Sequence, residues 1–278
     1  MSEQAVAQHY SHGALEQQIL DALRMTGADP DHLDPDQLAP VDEFHTGGRP
    51  ATVELAGQLD LRPGLRVLDV GSGLGGTARY LARRHGVEVT GIDLTSEYVQ
   101  VAESLTHRVG LADLIRFRQG SATDLPFPDG SFDRVCLLHV GMNIADKATL
   151  VTEIRRMLVP GGIFGLYDVM RTGSGDVTYP VPWAGTSATS FLAGSDRYRE
   201  LLTTSGLPVL AVRDRRYFAL EFFRKFRAQV EKNGPSALGL HILMGSDAAA
   251  KVANMIDNLA RAVLAPTEMI CVAGSAGS

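Results

Sequence analysis

The 278-residue chain contains two cysteines and one tryptophan. Cys136 and Cys271 each lie in an apolar run without a partner at metal-ligand spacing. That excludes a disulfide framework and reads as two buried thiols of a reducing compartment. No stretch approaches eighteen uninterrupted apolar residues, and no basic segment leads into an apolar core near the first residue, so neither a membrane span nor a secretory leader is expected. Positive charge is not in excess: 26 Lys and Arg stand against 32 Asp and Glu, a net charge of −6. Nucleic-acid binding calls for a basic footprint, and the overall balance supplies none. His9, His12, His45 and His241 show no metal-ligand pattern, so no metal is expected. The expectation is a cytoplasmic protein with no membrane or nucleic-acid partner. The sequence carries no signal for oligomeric state.

With 45% hydrophobic residues the chain can bury a full core, sensibly as one catalytic domain with appendages. The run Val67-Leu68-Asp69-Val70-Gly71-Ser72-Gly73-Leu74-Gly75-Gly76 is its most informative feature. Val67, Leu68 and Val70 suit a strand buried on both faces, and residues 77–84 have helical composition, so the glycines sit at a strand-to-helix turn. Asp93 ends a second strand, where its carboxylate can accept bonds from a ribose diol.

Gly71, Gly73 and Gly76 satisfy GxGxxG, so a dinucleotide-dependent oxidoreductase competes with a site for S-adenosylmethionine (SAM). Asp69 separates the two. A pyrophosphate gains little from a carboxylate, whereas the ammonium and sulfonium of SAM are attracted to one. A strand-end Asp capping the turn is the structural alternative.

The segments VLDVGSGLGG, VEVTGIDLT, FRQGSATDLPFPDGSFDRV and EIRRMLVPGGIFGLYDV resemble, in order and spacing, the motif series of class I SAM-dependent methyltransferases. The resemblance covers residues 65–169. It implies an α/β, Rossmann-like fold with a seven-stranded mainly parallel sheet and helices on both faces. It also implies SAM as cofactor and methyl transfer to a small-molecule metabolite, at an amine nitrogen or an electron-rich carbon or oxygen. Carried over residue by residue, Asp69, Gly71, Ser72, Gly73 and Gly75 serve the methionine and ribose side. Asp93 and Leu94 serve the adenosine, Ser121 and Ala122 the adenine. Many family members place Asp where this chain has Ser121, so a hydroxyl or a water must take the adenine amino bond here.

Residues 1–60 precede the core as an N-terminal helical lid segment, and 61–278 form the SAM-binding domain. Helical spacing covers 14–25, an Asp- and Pro-rich loop 29–40, and a second helix 51–59. The loop 41–49 between them can carry Phe44 and His45 to the site. The third strand covers 114–117, with its loop from 119, and a fourth strand covers 132–139. Another strand, 163–167, ends at Asp168. Two insertions follow. Residues 170–194 form a long aromatic-bearing loop, and 218–265 hold helices 218–232 and 247–264 before a last strand at 269–273. The tail 274–278 reads as frayed.

Substrate-side candidates lie at strand ends, where open α/β sheets bind ligands. His139 can bond the acceptor, act as base or border the cofactor. Asp168 can take a proton or cap its strand. His45, Asn143, Tyr167 and Trp183 complete the set, the last two as π faces. The cluster Arg213, Arg215, Arg216, Arg224, Lys225 and Arg227 is either an anion site or a solvated face. Within the resemblance, the chain is similar to the small-molecule branch of sarcosine/dimethylglycine, tocopherol and ubiquinone/menaquinone methyltransferases. The residues that carry this are His45-Thr46-Gly47-Gly48, His139 to Asn143, and Pro180-Val181-Pro182-Trp183-Ala184. A SAM-binding module without turnover would share every cofactor motif.

Overall fold

The computed structural model describes residues 3–11 and 13–274; His12 and the tail from 275 lie outside the described residues. The chain opens with helices α1 (Glu3–His9), α2 (Leu15–Met25), α3 (Ala39–Asp42) and α4 (Gly48–Ala56). Strands and helices then alternate: β1 (Arg66–Val70), α5 (Gly76–His85), β2 (Glu88–Asp93), α6 (Ser96–Arg108), β3 (Ile115–Gln119) and β4 (Phe132–Leu138). There follow α7 (Lys147–Met157), β5 (Leu158–Arg171), α8 (Ser195–Thr204), β6 (Val209–Asp214), α9 (Arg216–Asn233), α10 (His241–Met244), α11 (Ala248–Ala260) and β7 (Leu264–Val272).

All seven strands form one sheet in the order β3-β2-β1-β4-β5-β7-β6. Every pairing is parallel except those of β7, which runs antiparallel to β5 and β6. Alternation along β1 sends Leu68 and Val70 to one face, with α7 and α8, and Val67 to the other, with α4 and α5. Both faces are therefore covered, as Val67, Leu68 and Val70 require. Truncating the fully buried Leu68 to Ala would cost roughly 2–5 kcal/mol. The order of strands reverses between β1 and β4, and an open parallel sheet leaves a crevice at that point.

Several boundaries differ from the sequence reading. The second N-terminal helix starts at Gly48 rather than 51, because Gly47, at φ 97°, turns the chain into it. β3 continues to Gln119 because that residue still pairs with Asp93. β5 does not stop at Asp168. β7 pairs along its whole length, Asp168 with Thr267 and Arg171 with Leu264, which carries β5 to Arg171 and starts β7 at Leu264. The helix expected over 247–264 accordingly ends at Ala260. β6, at Val209–Asp214, forms the sheet edge beside β7.

Within the arginine cluster, Arg213, Arg215 and Arg224 are paired with carboxylates. Arg213 Nε donates to Glu268 at 2.7 Å, Arg215 bridges Glu54 at 2.5 Å, and Arg224 bridges Glu221 at 2.9 Å. Cys136 and Cys271 are both buried free thiols.

Candidate active site

A cavity of about 360 Å³ opens at the carboxyl ends of β1, β2 and β4. Its polar part is lined by Asp69, Gly71, Ser72, Gly73, Thr77, Asp93, Leu94, Thr95 and Ala122. The loop after β1 is folded back onto β2: Gly71 and Ser72 donate their amides to Ile92 O at 2.8 and 3.0 Å. The Gly73 amide goes to Asp93 Oδ2 at 2.9 Å and the Gly75 amide to Ser72 O at 2.8 Å. Gly71, at φ 72°, has no alternative, since a β-carbon would stand 2.2 Å from Val140 Cγ2.

Those four amides are bonded inside the protein and are not open to a pyrophosphate. What it leaves open is of the other sign. Asp69 Oδ2 and Ser72 Oγ are buried without a partner, and burial pushes the Asp69 carboxyl up to about 7. Asp69 Oδ1 accepts from Cys136 Sγ at 3.5 Å, and the open Oδ2 of this buried carboxyl fits an ammonium. Asp93 is also raised by burial, against the pull of the Thr95 and Gly73 amides. These residues fit the methionine and ribose ends of SAM.

His139 sits at the end of β4 in the left-handed region, φ 55°, a costly conformation for a residue with a β-carbon. Its Nδ1 accepts the Thr46 amide at 3.4 Å, its ring stacks on Tyr167 at 5.1 Å, and Nε2 is buried without a partner. Burial, then the nearby His45, holds its pKa well below the usual histidine range. His45 lies 5.9 Å away, ring to ring, and its Nε2 is 3.1 Å from Gly48 O and from Thr52 Oγ1. Burial lowers its pKa to about 4. Both rings are thus neutral at pH 7. Asn143 and Trp183 also line the cavity; Asn143 Oδ1 accepts from Tyr10 Oη at 3.4 Å, and Trp183 Nε1 donates to Ser190 Oγ at 3.0 Å.

Four expected site residues stand elsewhere. Asp168 does not line the cavity: fully buried, it accepts from Tyr198 Oη at 2.5 Å beneath Gly141, and its pKa rises to about 6 through burial. A β-carbon on Gly141 would strike both groups of that pair. Asp168 is therefore a support under the segment that carries Met142 and Asn143. Tyr167 does not reach the cavity either; its hydroxyl donates to Thr46 O at 2.8 Å and its ring backs His139. Gly75 caps α5 in the left-handed region, under Phe117. Ser121 is bonded to Thr123 Oγ1 at 2.8 Å and to the Glu3 carboxylate, while Gly120, Ala122 and Thr123 face the cavity.

The sequence reading did not assign Tyr10, Thr46, Tyr98, Met142, Phe191, Phe222, Phe223 or Met244 to the site, and all of them line the cavity. Helical spacing marks Phe222 and Phe223 as one apolar face of α9, but nothing local says which cavity that face meets.

Residues 68–166 match the sequence profile of the family described as methyltransferase domain. Over those residues the chain is similar to a methyltransferase domain. Methyltransferase GfsG of Streptomyces halstedii is 33% identical over 184 residues, 65% of this chain and 65% of its own. The glycine/sarcosine/dimethylglycine N-methyltransferase of Actinopolyspora halophila is 32% identical over 175 residues, 63% of this chain and 31% of its own. The chain thus spans less than two thirds of the length of these relatives. Phosphoethanolamine N-methyltransferase 2 from Haemonchus contortus, in complex with phosphomonomethylethanolamine and S-adenosylhomocysteine, shares the fold of the methyltransferase domain and its flanking helices. Its TM-score is 0.75 at 18% identity, covering 99% of this chain and 61% of that one.

Proposed function

We propose that this chain transfers a methyl group from SAM to a small-molecule acceptor. The observation that carries the reading is the contrast within one loop. The amides of Gly71, Ser72, Gly73 and Gly75 are bonded internally, while Asp69 Oδ2 and Ser72 Oγ remain unpaired in the cavity wall. A nicotinamide dinucleotide takes loop amides for its pyrophosphate and gains nothing from a buried carboxylate there. The named relatives are methyltransferases, and no observation favours the oxidoreductase or a module without turnover.

Bound SAM supplies a methyl group on a sulfonium, open to in-line displacement. Asp69 and Ser72 hold the amino-acid end, Asp93 the ribose, Leu94 and Ala122 the adenine. Gly71 and Gly73 give the loop its path. His139, His45, Asn143 and Trp183 border the acceptor and fix its approach, which is where alignment contributes to the rate. Residues from α1 to α4, among them Tyr10, Phe44 and His45, form a lid that excludes water. Two buried thiols support a cytoplasmic setting.

Tritium-labelled SAM incubated with the protein and a metabolite panel tests the reading. Label appearing in an extractable small molecule, lost in Asp69→Ala, is expected. Binding of S-adenosylhomocysteine with no transfer to any fraction would leave a SAM-binding module instead.

A further inference from the structure

The cavity extends past His139 into a wall made of Met142, Trp183, Phe191, Phe223, Met244 and Val252. We propose that this chamber binds a neutral, hydrocarbon-rich acceptor whose polar group is an oxygen, and that it rejects phosphorylated and ammonium-bearing acceptors. The methyl donor comes from the function proposed above; the chamber's selectivity rests on its own lining.

Among the described residues lining the cavity there is no Lys or Arg, and five are acidic: Glu3, Asp42, Asp69, Asp93 and Asp146. The nearby cations are committed elsewhere. Lys147 Nζ donates to Gly141 O at 3.0 Å, Ile144 O at 2.8 Å and Phe191 O. Arg79 is held by Asp42 at 2.8 Å, and Arg49 by Glu43 and by Asp36 at 3.2 Å. A phosphate monoester brings close to two negative charges, which this wall would leave buried without a partner.

The polar groups at the mouth of the chamber are donors. Because Nδ1 of His139 accepts the Thr46 amide, the neutral ring carries its proton on Nε2, the buried atom without a partner. Asn143 uses its carbonyl for Tyr10, which leaves its NH₂. The Asp146 carboxylate caps α7, taking the Thr149 amide at 3.0 Å and hydroxyl at 2.7 Å. At the mouth of the chamber these two donors suit a hydroxyl or carbonyl oxygen rather than an ammonium; the cavity's unpartnered carboxylate oxygens belong to Asp42, salt-bridged to Arg79, and to Asp69, which the proposed cofactor takes. The wall is preformed: Met142, Trp183, Met255, Leu259 and Val263 pack as one buried cluster with Phe223 against it.

Trp183 is the chain's one tryptophan, so its emission reports ligands at this wall. The probes are octan-1-ol, octyl phosphate and octylammonium, titrated into the protein with and without S-adenosylhomocysteine. Octanol is expected to shift Trp183 emission with an affinity about tenfold or more above either charged probe. Equal or tighter binding of octyl phosphate or octylammonium would overturn the assignment. Val252→Arg places a cation on the wall and should reverse the order of octanol and octyl phosphate. Phe223→Arg repeats the test if the first variant misfolds, and an unchanged order in a folded variant counts against the proposal. Calorimetry with S-adenosylhomocysteine on the same sample separates the two readings. Octanol binding without it retains the chamber and removes the methyl donor; its binding alongside preferred octyl phosphate does the reverse.

Discussion

The backbone N–H of Thr46 points at Nδ1 of His139 across 3.4 Å, joining the α3–α4 connection to the end of β4. This contact decides what His139 can do. With Nδ1 occupied as an acceptor, Nε2 holds the proton, so the ring is a hydrogen-bond donor toward the cavity and not a ready base there. His139→Ala should lower kcat by about 10- to 100-fold, the loss of one hydrogen bond worth roughly 1.5–3 kcal/mol to developing charge. S-adenosylhomocysteine affinity should stay within about threefold. Steady-state kinetics beside calorimetry reads the split. Equal losses in both would put His139 on the cofactor.

Asp93 ties the glycine loop to the cofactor region. Its Oδ2 takes the Gly73 amide and its Oδ1 the Thr95 amide, each at 2.9 Å. Asp93→Ala removes both bonds along with the ribose acceptor. Calorimetry should show S-adenosylhomocysteine binding weakened by about 1–3 kcal/mol, with a lower melting temperature of the free protein. Unchanged affinity would refute the ribose role.

Asp69 links function to pH. Burial raises its folded pKa to about 7, above the ordinary carboxyl value, so the unfolded chain ionises first. The stability held by the neutral form is complete below about pH 4 and is lost as pH rises through about 7. Asp69→Asn stays neutral throughout. Its melting temperature should exceed the parent's at about pH 8 by an amount reflecting a few kcal/mol, with the difference vanishing near about pH 4. An ammonium beside Asp69 favours the carboxylate, so ligand binding near about pH 6.5 should release protons, visible as a dependence of calorimetric enthalpy on buffer.

Tyr198 supports the site from below. Tyr198→Phe leaves the Asp168 carboxyl, already short of one partner, buried without a second. Denaturant melts should show a loss of about 1–3 kcal/mol, with S-adenosylhomocysteine affinity preserved. A selective loss of affinity would return Asp168 to the site.

Asp69, Gly71, Ser72, Gly73 and Asp93 line the cavity as the sequence suggested, because strand burial, turn chemistry and a strand-end carboxylate are all local signals, whereas Gly75 caps α5 instead. Trp183 stood out as a lone tryptophan in a loop between Pro182 and Gly185; the structure both packs it in a buried cluster and sets it on the cavity wall. Asp168 and Tyr167 misled because a strand end is recognised by where the apolar run stops. Pairing with β7 carries β5 three residues past Asp168, burying it beneath Gly141. Tyr10, Phe223 and Met244 reach the cavity only through tertiary packing of α1, α9 and α10, and no spacing in the chain encodes that meeting.

Isothermal titration with S-adenosylhomocysteine, NAD and NADP, run on the parent and on Asp69→Ala, tests the central claim most directly. Saturable binding of S-adenosylhomocysteine alone, weakened by Asp69→Ala, is the predicted result. Binding of NAD or NADP in its place would contradict the reading of the loop and, with it, the proposed reaction.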